Sequence, residues 1–474
     1  MTDALWTVEE LAAATGGTVE GKIGYALTGV SIDTRTLQPG DIYVAIKGDV
    51  HDGHKFTVNA FDAGAALAVV SRPDDAMRAR GPLLVVPDDP LVAMEAMGRA
   101  ARARSTAKIV AITGSVGKTG SKEMLRQGLS RSGSTHASAK SYNNHWGVPL
   151  TLSNFSPASE YGVFEVGMNH PGEIIPLVDM IRPHVAIITT VEPVHLGQFN
   201  SVEEIADAKA EILTGVETGG AAVLNRDNPH FERLRSAATA CGIETIVTFG
   251  EHDEADARLH KSVLHETCSC VQAEILGDRV TYKLGAPGAH FVQNSLAVLA
   301  AVKLLGADLA LAALSLADTA APQGRGARAR LPMPGGGALT LIDEAYNANP
   351  ASMRAALSLL GSAEPGKGGR RIAVLGDMLE LGETSPELHE GLLAPIDEAG
   401  VDAVYACGPM MAHLWEALPA KKRAVYAETS AGLTDALLDD MRSGDVVMVK
   451  GSLGSKMIPI VEALKSRFAS REAA

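Results

Sequence analysis

The amino-acid sequence predicts an α/β protein of three domains, the second and third of which have mainly parallel sheets. Three observations lead to this prediction. A chain of 474 residues is too long for one hydrophobic core. An apolar strand pattern at 109–112 runs into a glycine-bearing loop and a helical pattern. After the Pro- and Gly-rich turn at 332–337, strand and helix patterns alternate again. The predicted domains are 1–106, 107–329 and 330–474.

The first domain begins with a helix signal. Thr7 and Glu10 have capping-box spacing, and β-type runs follow at 42–46, 68–70 and 83–86. This order predicts a separate α/β module.

Polar residues of the first domain fall at strand ends and in loops. They include Ser31, Asp33 and Arg35, and a second group at 52–56. Loops next to strand ends are common places for ligand contact. Solvated turns are the alternative interpretation, and these residues alone do not decide between the two.

The central domain opens with a phosphate-binding pattern. Residues 113–119 read Thr-Gly-Ser-Val-Gly-Lys-Thr after the apolar strand, and a helical pattern starts at Ser121. Backbone N–H groups of such a loop and the positive end of the helix bind phosphate, while the Lys contributes a charge and the Thr a hydroxyl for Mg²⁺. Ile112 stands where the longer pattern has glycine, and a chance glycine turn is the alternative. We expect a P-loop ATPase-like domain with nucleotide contacts from Gly114, Ser115, Val116, Gly117, Lys118 and Thr119.

Two further polar residues end buried-type strands. Glu165 lies within the run 161–167, where an unpaired carboxylate is costly, so a second Mg²⁺ ligand or a partner of a Lys or Arg is expected there. His195 follows the run 185–191, at the strand end where ligands collect in such sheets, although a structural histidine is equally compatible. Lys209 lies in the helix that follows, and its pattern alone indicates a solvated residue.

The third domain repeats strand and helix patterns. Strands are predicted at 339–343, 372–375, 403–406 and 446–449, which is typical of a Rossmann-like sheet. The sequence lacks G-x-G-x-x-G, so we do not predict a dinucleotide site.

Composition excludes several classes of protein. Lys plus Arg number 42 against 56 Asp plus Glu, a net charge of −14, which argues against a general nucleic-acid binder. Four cysteines are too few for a disulfide scaffold, and the pair Cys268 and Cys270 has no second pair to complete a metal site. The sequence shows no signal-peptide pattern and no apolar run of membrane-spanning length, so we expect a cytoplasmic protein.

Four strings of residues carry a family resemblance. They are 143–152, 165–174, 343–350 and 374–382. With the phosphate loop and the three-part layout, they resemble the Mur ligases, ATP-dependent amide-forming enzymes of peptidoglycan synthesis. The resemblance covers nearly the whole chain, and it is strongest to the member that adds D-alanyl-D-alanine to UDP-N-acetylmuramoyl-tripeptide.

The resemblance implies roles for individual residues. Thr119, Glu165 and His195 are implied as Mg²⁺ ligands together with Lys209, which the family carries as a carbamate; Lys118, Glu165, His195 and Lys209 are the implied catalytic residues. ATP contacts are implied for Asn294, Arg325, Asp343, Tyr346, Asn347 and Asn349. Substrate contacts are implied for Ser31, Asp33, Arg35, Asn143 and Asn144. Thr34 and Gly120 depart from the family pattern.

The implied chemistry is amide synthesis through an acyl phosphate, in a monomer that has no nucleic-acid partner. Alternatives are a sibling that adds the third stem amino acid, a folylpolyglutamate synthase or, outside the ligases, a P-loop regulatory NTPase. The last alternative expects an Asn-Lys-x-Asp motif, which the sequence lacks.

Overall fold

The computed structural model describes residues 4–48, 50–194 and 197–468. His195, a predicted metal ligand, therefore lies outside the described residues.

The N-terminal domain, in its described part, has five strands and four α-helices. The strands are β1 (Thr18–Glu20), β2 (Gly29–Ser31), β3 (Asp41–Val44), β4 (Leu67–Val70) and β5 (Leu83–Val85). The helices are α1 (Val8–Thr15), α2 (Thr57–Asp62), α3 (Asp75–Arg80) and α4 (Pro90–Ala103). The sheet order is β1-β5-β4-β3-β2, and β1 runs antiparallel to β5 while the other pairs are parallel. The predicted capping box is confirmed, because Thr7 and Glu10 bond reciprocally at the start of α1.

The central domain is built on one large sheet. Its described strands are β6 (Lys108–Thr113), β7 (Thr135–Ala137), β8 (Tyr161–Glu165), β9 (Val185–Ile188), β10 (Ala221–Asn225), β11 (Thr245–Gly250), β12 (Ala257–Leu264), β13 (Ser269–Ile275) and β14 (Asp278–Leu284). Its described helices are α5 (Lys118–Leu129), α6 (Gly147–Ser153), α7 (Ile174–Ile181), α8 (Val202–Ala210), α9 (Phe231–Ala240), α10 (Ala289–Leu304) and α11 (Leu309–Ser315). The order is β14-β13-β12-β11-β10-β9-β6-β8-β7. The sheet is parallel from β7 to β12, so β6 delivers its phosphate loop near the middle of the carboxyl-terminal edge.

The C-terminal domain is a second, mainly parallel sheet. Its described strands are β15 (Ala327–Pro332), β16 (Ala338–Glu344), β17 (Arg371–Gly376), β18 (Ala403–Cys407), β19 (Arg423–Ala427) and β20 (Val446–Lys450). Its described helices are α12 (Pro350–Gly361), α13 (Ser385–Glu390), α14 (Leu393–Glu398), α15 (Met411–Ala417), α16 (Thr434–Asp440) and α17 (Ile458–Arg467). The order is β15-β16-β20-β17-β18-β19, with the β15–β16 pair antiparallel. The three-domain α/β fold class is thus confirmed.

One hydrophobic core joins the first two domains. Trp6 and Leu67 of the N-terminal domain belong to the same buried cluster as Phe155 of the central domain. The Trp6 indole donates to the Ser153 carbonyl at 2.8 Å, and α4 packs on α6 and α7. By contrast, the buried clusters of the C-terminal domain, among the described residues, draw their members from that domain alone.

Candidate active site

The phosphate loop links β6 to α5 through two strained positions. Gly114 has φ +149° and Gly117 has φ +88°, and a Cβ at these positions would collide with Thr189 and Asn294 respectively. Only glycine meets both requirements without cost. Gly117 is the N-cap of α5, so the helix begins at Lys118. The sequence pattern had predicted a start three residues later, at Ser121.

The predicted phosphate and metal residues meet beyond this loop. The Thr119 hydroxyl lies 3.0 Å from Glu165 Oε2 and 3.1 Å from the Ser141 hydroxyl. Asn143 Nδ2 donates to Glu165 Oε1 at 2.7 Å. Glu165 is 1% exposed, and its described hydrogen-bond partners are a hydroxyl and an amide rather than a Lys or an Arg. The buried carboxylate therefore lies close to the phosphate loop without a bonded cation from the described residues.

Lys118 points back over the loop. Its Nζ donates to the Gly114 carbonyl at 2.6 Å. Burial lowers the pKa of Lys118, Glu165 opposes that shift, and the positive charge of Arg325 adds to it. A desolvated ammonium at this place binds a phosphate more strongly than one in water would.

A large cavity of about 530 Å³ lies between the central and C-terminal domains. The phosphate loop lines it through Ser115, Val116, Gly117 and Lys118, with Glu165 and Asn294 nearby. Asn294, from α10, is itself 8% exposed. The cavity brings together the predicted nucleotide residues of the central domain other than Gly114 and Thr119, which do not line it.

The C-terminal domain lines the opposite wall. Tyr346, Asn347 and Asn349 of this domain face the cavity, and so does Arg325 at the end of the central domain, whose guanidinium lies 4.5 Å from the centre of the Tyr346 ring. Asn349 also accepts a hydrogen bond from the Ser352 amide and so caps α12.

Asp343, predicted to contact ATP, does not line this cavity. Its carboxylate lies 3.7 Å from Lys465 Nζ and accepts from the Ala345 amide. Because side chains alternate along a strand, its neighbour Glu344 faces the cavity instead.

Lys209 lies in α8 and is 3% exposed. Burial holds its pKa well below the ordinary value, and repulsion from Lys118 adds to this effect. The solvated surface lysine that the sequence pattern alone indicated is therefore not found, because Ile205, Ala206 and Ala208 of the same helix are packed inside.

A smaller cavity of about 280 Å³ lies between the N-terminal and central domains. Ser31 and Asp33 line it. Hydrogen bonds from Arg35 are the main cause that lowers the pKa of Asp33 to about 2. Arg35 itself is largely exposed and does not line the cavity.

Asn143 and Asn144, both predicted to contact the substrate, lie in different surroundings. Asn143 lines the large cavity, whereas Asn144 lines neither and instead accepts from the Gly147 amide at the start of α6.

Several lining residues were not predicted from the sequence. In the large cavity, Lys450 Nζ bonds to Glu344 Oε2 at 3.1 Å and to the Asn347 carbonyl at 3.0 Å. Its position as the last residue of a parallel strand was a usable signal. In the small cavity, Ser138 is 4% exposed and its hydroxyl has no hydrogen-bond partner among the described residues, for which the sequence gave no signal.

Residues 4–48, 50–194 and 197–468 were searched for clusters of metal ligands and for membrane-spanning helices. Within them, no three or more His, Cys, Asp or Glu side chains gather in a way that could hold a metal ion. Over the same ranges, the helices are all too short or too polar to cross a membrane.

Comparison with known proteins gives a consistent assignment. Residues 26–105 match the description "Mur ligase family, catalytic domain", residues 112–302 "Mur ligase middle domain", and residues 330–453 "Mur ligase, glutamate ligase domain". UDP-N-acetylmuramoyl-tripeptide–D-alanyl-D-alanine ligase of Rickettsia prowazekii is 31% identical over 97% of this chain and 99% of its own. The enzyme of the same name from Escherichia coli K12 is 33% identical over 97% of this chain and 98% of its own.

Solved structures agree with this assignment. The crystal structure of MurF from Acinetobacter baumannii superposes with a TM-score of 0.84 at 30% identity, over 98% of this chain and 100% of that one. MurF ligase from Thermotoga maritima, solved in complex with ADP, gives a TM-score of 0.74 at 26% identity, over 94% of this chain and 99% of that one. The chain belongs to the Mur ligase family.

Proposed function

We infer that this chain is an ATP-dependent, ADP-forming ligase that joins D-alanyl-D-alanine to UDP-N-acetylmuramoyl-tripeptide in the synthesis of the peptidoglycan precursor. The observation that carries this inference is the large cavity, in which the phosphate loop faces polar residues of the C-terminal domain. Relatives that match the chain over almost its whole length bear the name of this activity. ATP as the nucleotide is supported by the Thermotoga relative solved with ADP.

The residues of the cavity suit phosphoryl transfer to a carboxylate. The substrate carboxylate attacks the γ-phosphorus, the bond to the β-phosphate oxygen breaks, and ADP leaves. The negative charge that spreads over the transferred group is met by Lys118 and by the amides of the phosphate loop. No side-chain nucleophile is required, so positioning and charge neutralisation supply the rate.

The second step forms the amide bond. The free amine of D-alanyl-D-alanine attacks the acyl phosphate carbon, inorganic phosphate departs with the bonding electrons, and the amine loses a proton. The C-terminal domain closes the cavity and keeps water away from the acyl phosphate.

The donor set near the phosphate loop fits Mg²⁺. Thr119 and Glu165 offer hard oxygen atoms, and a carbamate on Lys209 would add two more. The low pKa of Lys209 favours the neutral amine that reacts with CO₂. Mg²⁺ bound by these residues would neutralise phosphate charge and orient the γ-phosphate.

The UDP part of the substrate fits the small cavity. Ser31 and Asp33 line it from the N-terminal domain, while Lys140 and Ser138, whose hydroxyl finds no partner in the described part of the chain, line it from the central domain. A buried hydroxyl without a partner is costly, and a polar ligand removes that cost. The cytoplasmic location and the monomeric state expected from the sequence stay predictions.

The decisive test is phosphate release by the purified protein with ATP and Mg²⁺. We expect release only when UDP-N-acetylmuramoyl-tripeptide and D-alanyl-D-alanine are both present, with the joined product seen by mass spectrometry. Turnover with a single amino acid on the UDP-dipeptide, or with glutamate on a folate, would instead favour a sibling ligase. Turnover of nucleotide alone would favour a regulatory NTPase.

A further inference from the structure

Lys122 carries a charge that the proposed mechanism does not use. It lies on α5, one helical turn after Lys118, and is 1% exposed. Burying a lysine costs free energy unless its ammonium is fully bonded. The side chain therefore needs an explanation beyond helix formation.

The Lys122 ammonium has an acceptor for each of its donors. Nζ lies 2.8 Å from the Ser138 carbonyl, 3.3 Å from the Lys140 carbonyl and 2.9 Å from Glu123 Oε1. An ammonium has three N–H groups, so these acceptors use its full capacity. Two of these acceptors are backbone carbonyls of the loop 138–143. Lys122 therefore links that loop to α5, the helix that follows the phosphate loop.

That loop, residues 138–143, separates the two cavities. Side chains of Lys140 and Tyr142 line the small cavity, whereas those of Ser141 and Asn143 line the large one. Ser141 and Asn143 are also the residues that bond to Thr119 and Glu165. A shift of the loop backbone would thus change both cavities at once.

We propose that Lys122 is a positioning residue that couples the two cavities. Lys122 holds the carbonyls of Ser138 and Lys140 against α5 and so fixes the position of the loop. In that single position, one side of the loop lines the cavity for the UDP substrate, and the other side contacts Thr119 and Glu165. Each ligand then fixes part of the arrangement that the other requires, so each binds more tightly in the presence of the other. This inference rests on the proposed function for the identity of the two ligands.

The test uses Lys122→Met, which keeps the apolar stem and removes the ammonium. Arg126→Met is the matched control, because Arg126 lies one turn further along α5 and also bonds to Glu123, but is half exposed and has no hydrogen bond to the loop among the described contacts. Calorimetry measures the affinity of a non-hydrolysable ATP analogue with Mg²⁺ and of UDP-N-acetylmuramoyl-tripeptide, each alone and each in the presence of the other. Thermal unfolding is followed in parallel, and Lys122→Arg, which retains the cation, serves as the rescue variant.

In the wild type, each ligand should raise the affinity for the other by about fivefold or more. In Lys122→Met this factor should fall towards one, and KM for the UDP substrate should rise, while affinity for the ATP analogue alone stays within about threefold of wild type. Arg126→Met should keep the wild-type factor, and Lys122→Arg should restore part of it.

Two results would overturn the proposal: a wild-type protein that binds both ligands independently, or a Lys122→Met protein that keeps the coupling. If Lys122→Met does not fold, Lys122→Gln takes its place and the same criteria apply. Failure of the wild type to bind the UDP substrate at all would instead refute the proposed function.

Discussion

Replacing Lys118 by methionine separates its role in catalysis from its role in stability. The change keeps the apolar stem and removes the charge that lies over the phosphate loop, with Nζ 2.6 Å from the Gly114 carbonyl. Of the other cations in the large cavity, Lys450 is paired with Glu344 and Arg325 stacks on Tyr346. Neither replaces Lys118 at the loop. Loss of one preorganised group of this kind lowers kcat by about 100- to 1,000-fold, or ~2.7–4 kcal/mol.

Although Lys118→Met should lower kcat, it should not lower the stability of the folded protein at neutral pH. Burial lowers the pKa of Lys118 below 10.5 in the folded protein, so the unfolded chain holds the proton more tightly. Between the two pKa values the unfolded state binds more protons, and stability of the wild type therefore rises with pH across that window. At neutral pH the methionine variant should unfold at the same temperature as the wild type or higher, and this difference should vanish as pH approaches 10.5.

The assay is phosphate release at saturating substrates, with calorimetric unfolding of the same samples. Arg126→Met controls for the loss of a positive charge from α5. A kcat within about tenfold of wild type, only ~1.4 kcal/mol of barrier, would refute the role of Lys118 at the γ-phosphate. A marked fall in unfolding temperature at neutral pH would refute the electrostatic account of its burial.

Three further predictions follow from the geometry. In a phosphate-release assay, Lys209→Ala should lose activity severely and regain part of it with added acetate, since a small acid can occupy the place of a carbamate. Near-normal activity in this variant would rule the carbamate out. Small-angle X-ray scattering should report a smaller radius of gyration when an ATP analogue and the UDP substrate are both added, because the large cavity is lined by two domains; an unchanged radius would count against closure on the ligands. Arg370→Ala should lower the free energy of unfolding of the C-terminal domain by ~3 kcal/mol, because it leaves the fully buried Asp445 without its cation, whereas the exposed Arg442→Ala should cost much less; equal effects in denaturant titration would contradict this.

The sequence predicted the fold class well because its strands are apolar runs of marked pattern. The strands β6, β8, β9, β17 and β20 were all expected, and their boundaries differ from prediction by a few residues at most. The strands β2, β15 and β19 were not predicted, since they are short or lie at sheet edges where polar residues are tolerated.

The candidate site was predictable only in part. Motif spacing located the phosphate loop, and strand ends indicated Glu165, because these signals are local in the chain. Lys122 and Ser138 were missed, since their importance arises from their place between distant segments, which leaves no local pattern. Lys450 was missed although its position at the end of a parallel strand was a usable signal. Asp343 shows the limit of transferring a motif: its strand is correct, but the alternation of side chains gives the cavity to Glu344.

The N-terminal and central domains share a hydrophobic core, and this core affects the two cavities differently. Because Trp6 and Leu67 are packed into one cluster with Phe155, the N-terminal and central domains cannot separate without exposing buried apolar surface to water. The residues described as lining the small cavity all belong to these two domains. The large cavity is lined by the central domain and by the C-terminal domain, whose described buried clusters are its own, so separating these two domains would open that cavity without breaking a shared core. A movement of the C-terminal domain relative to the rest of the chain would therefore change the large cavity and leave the residues that line the small cavity together.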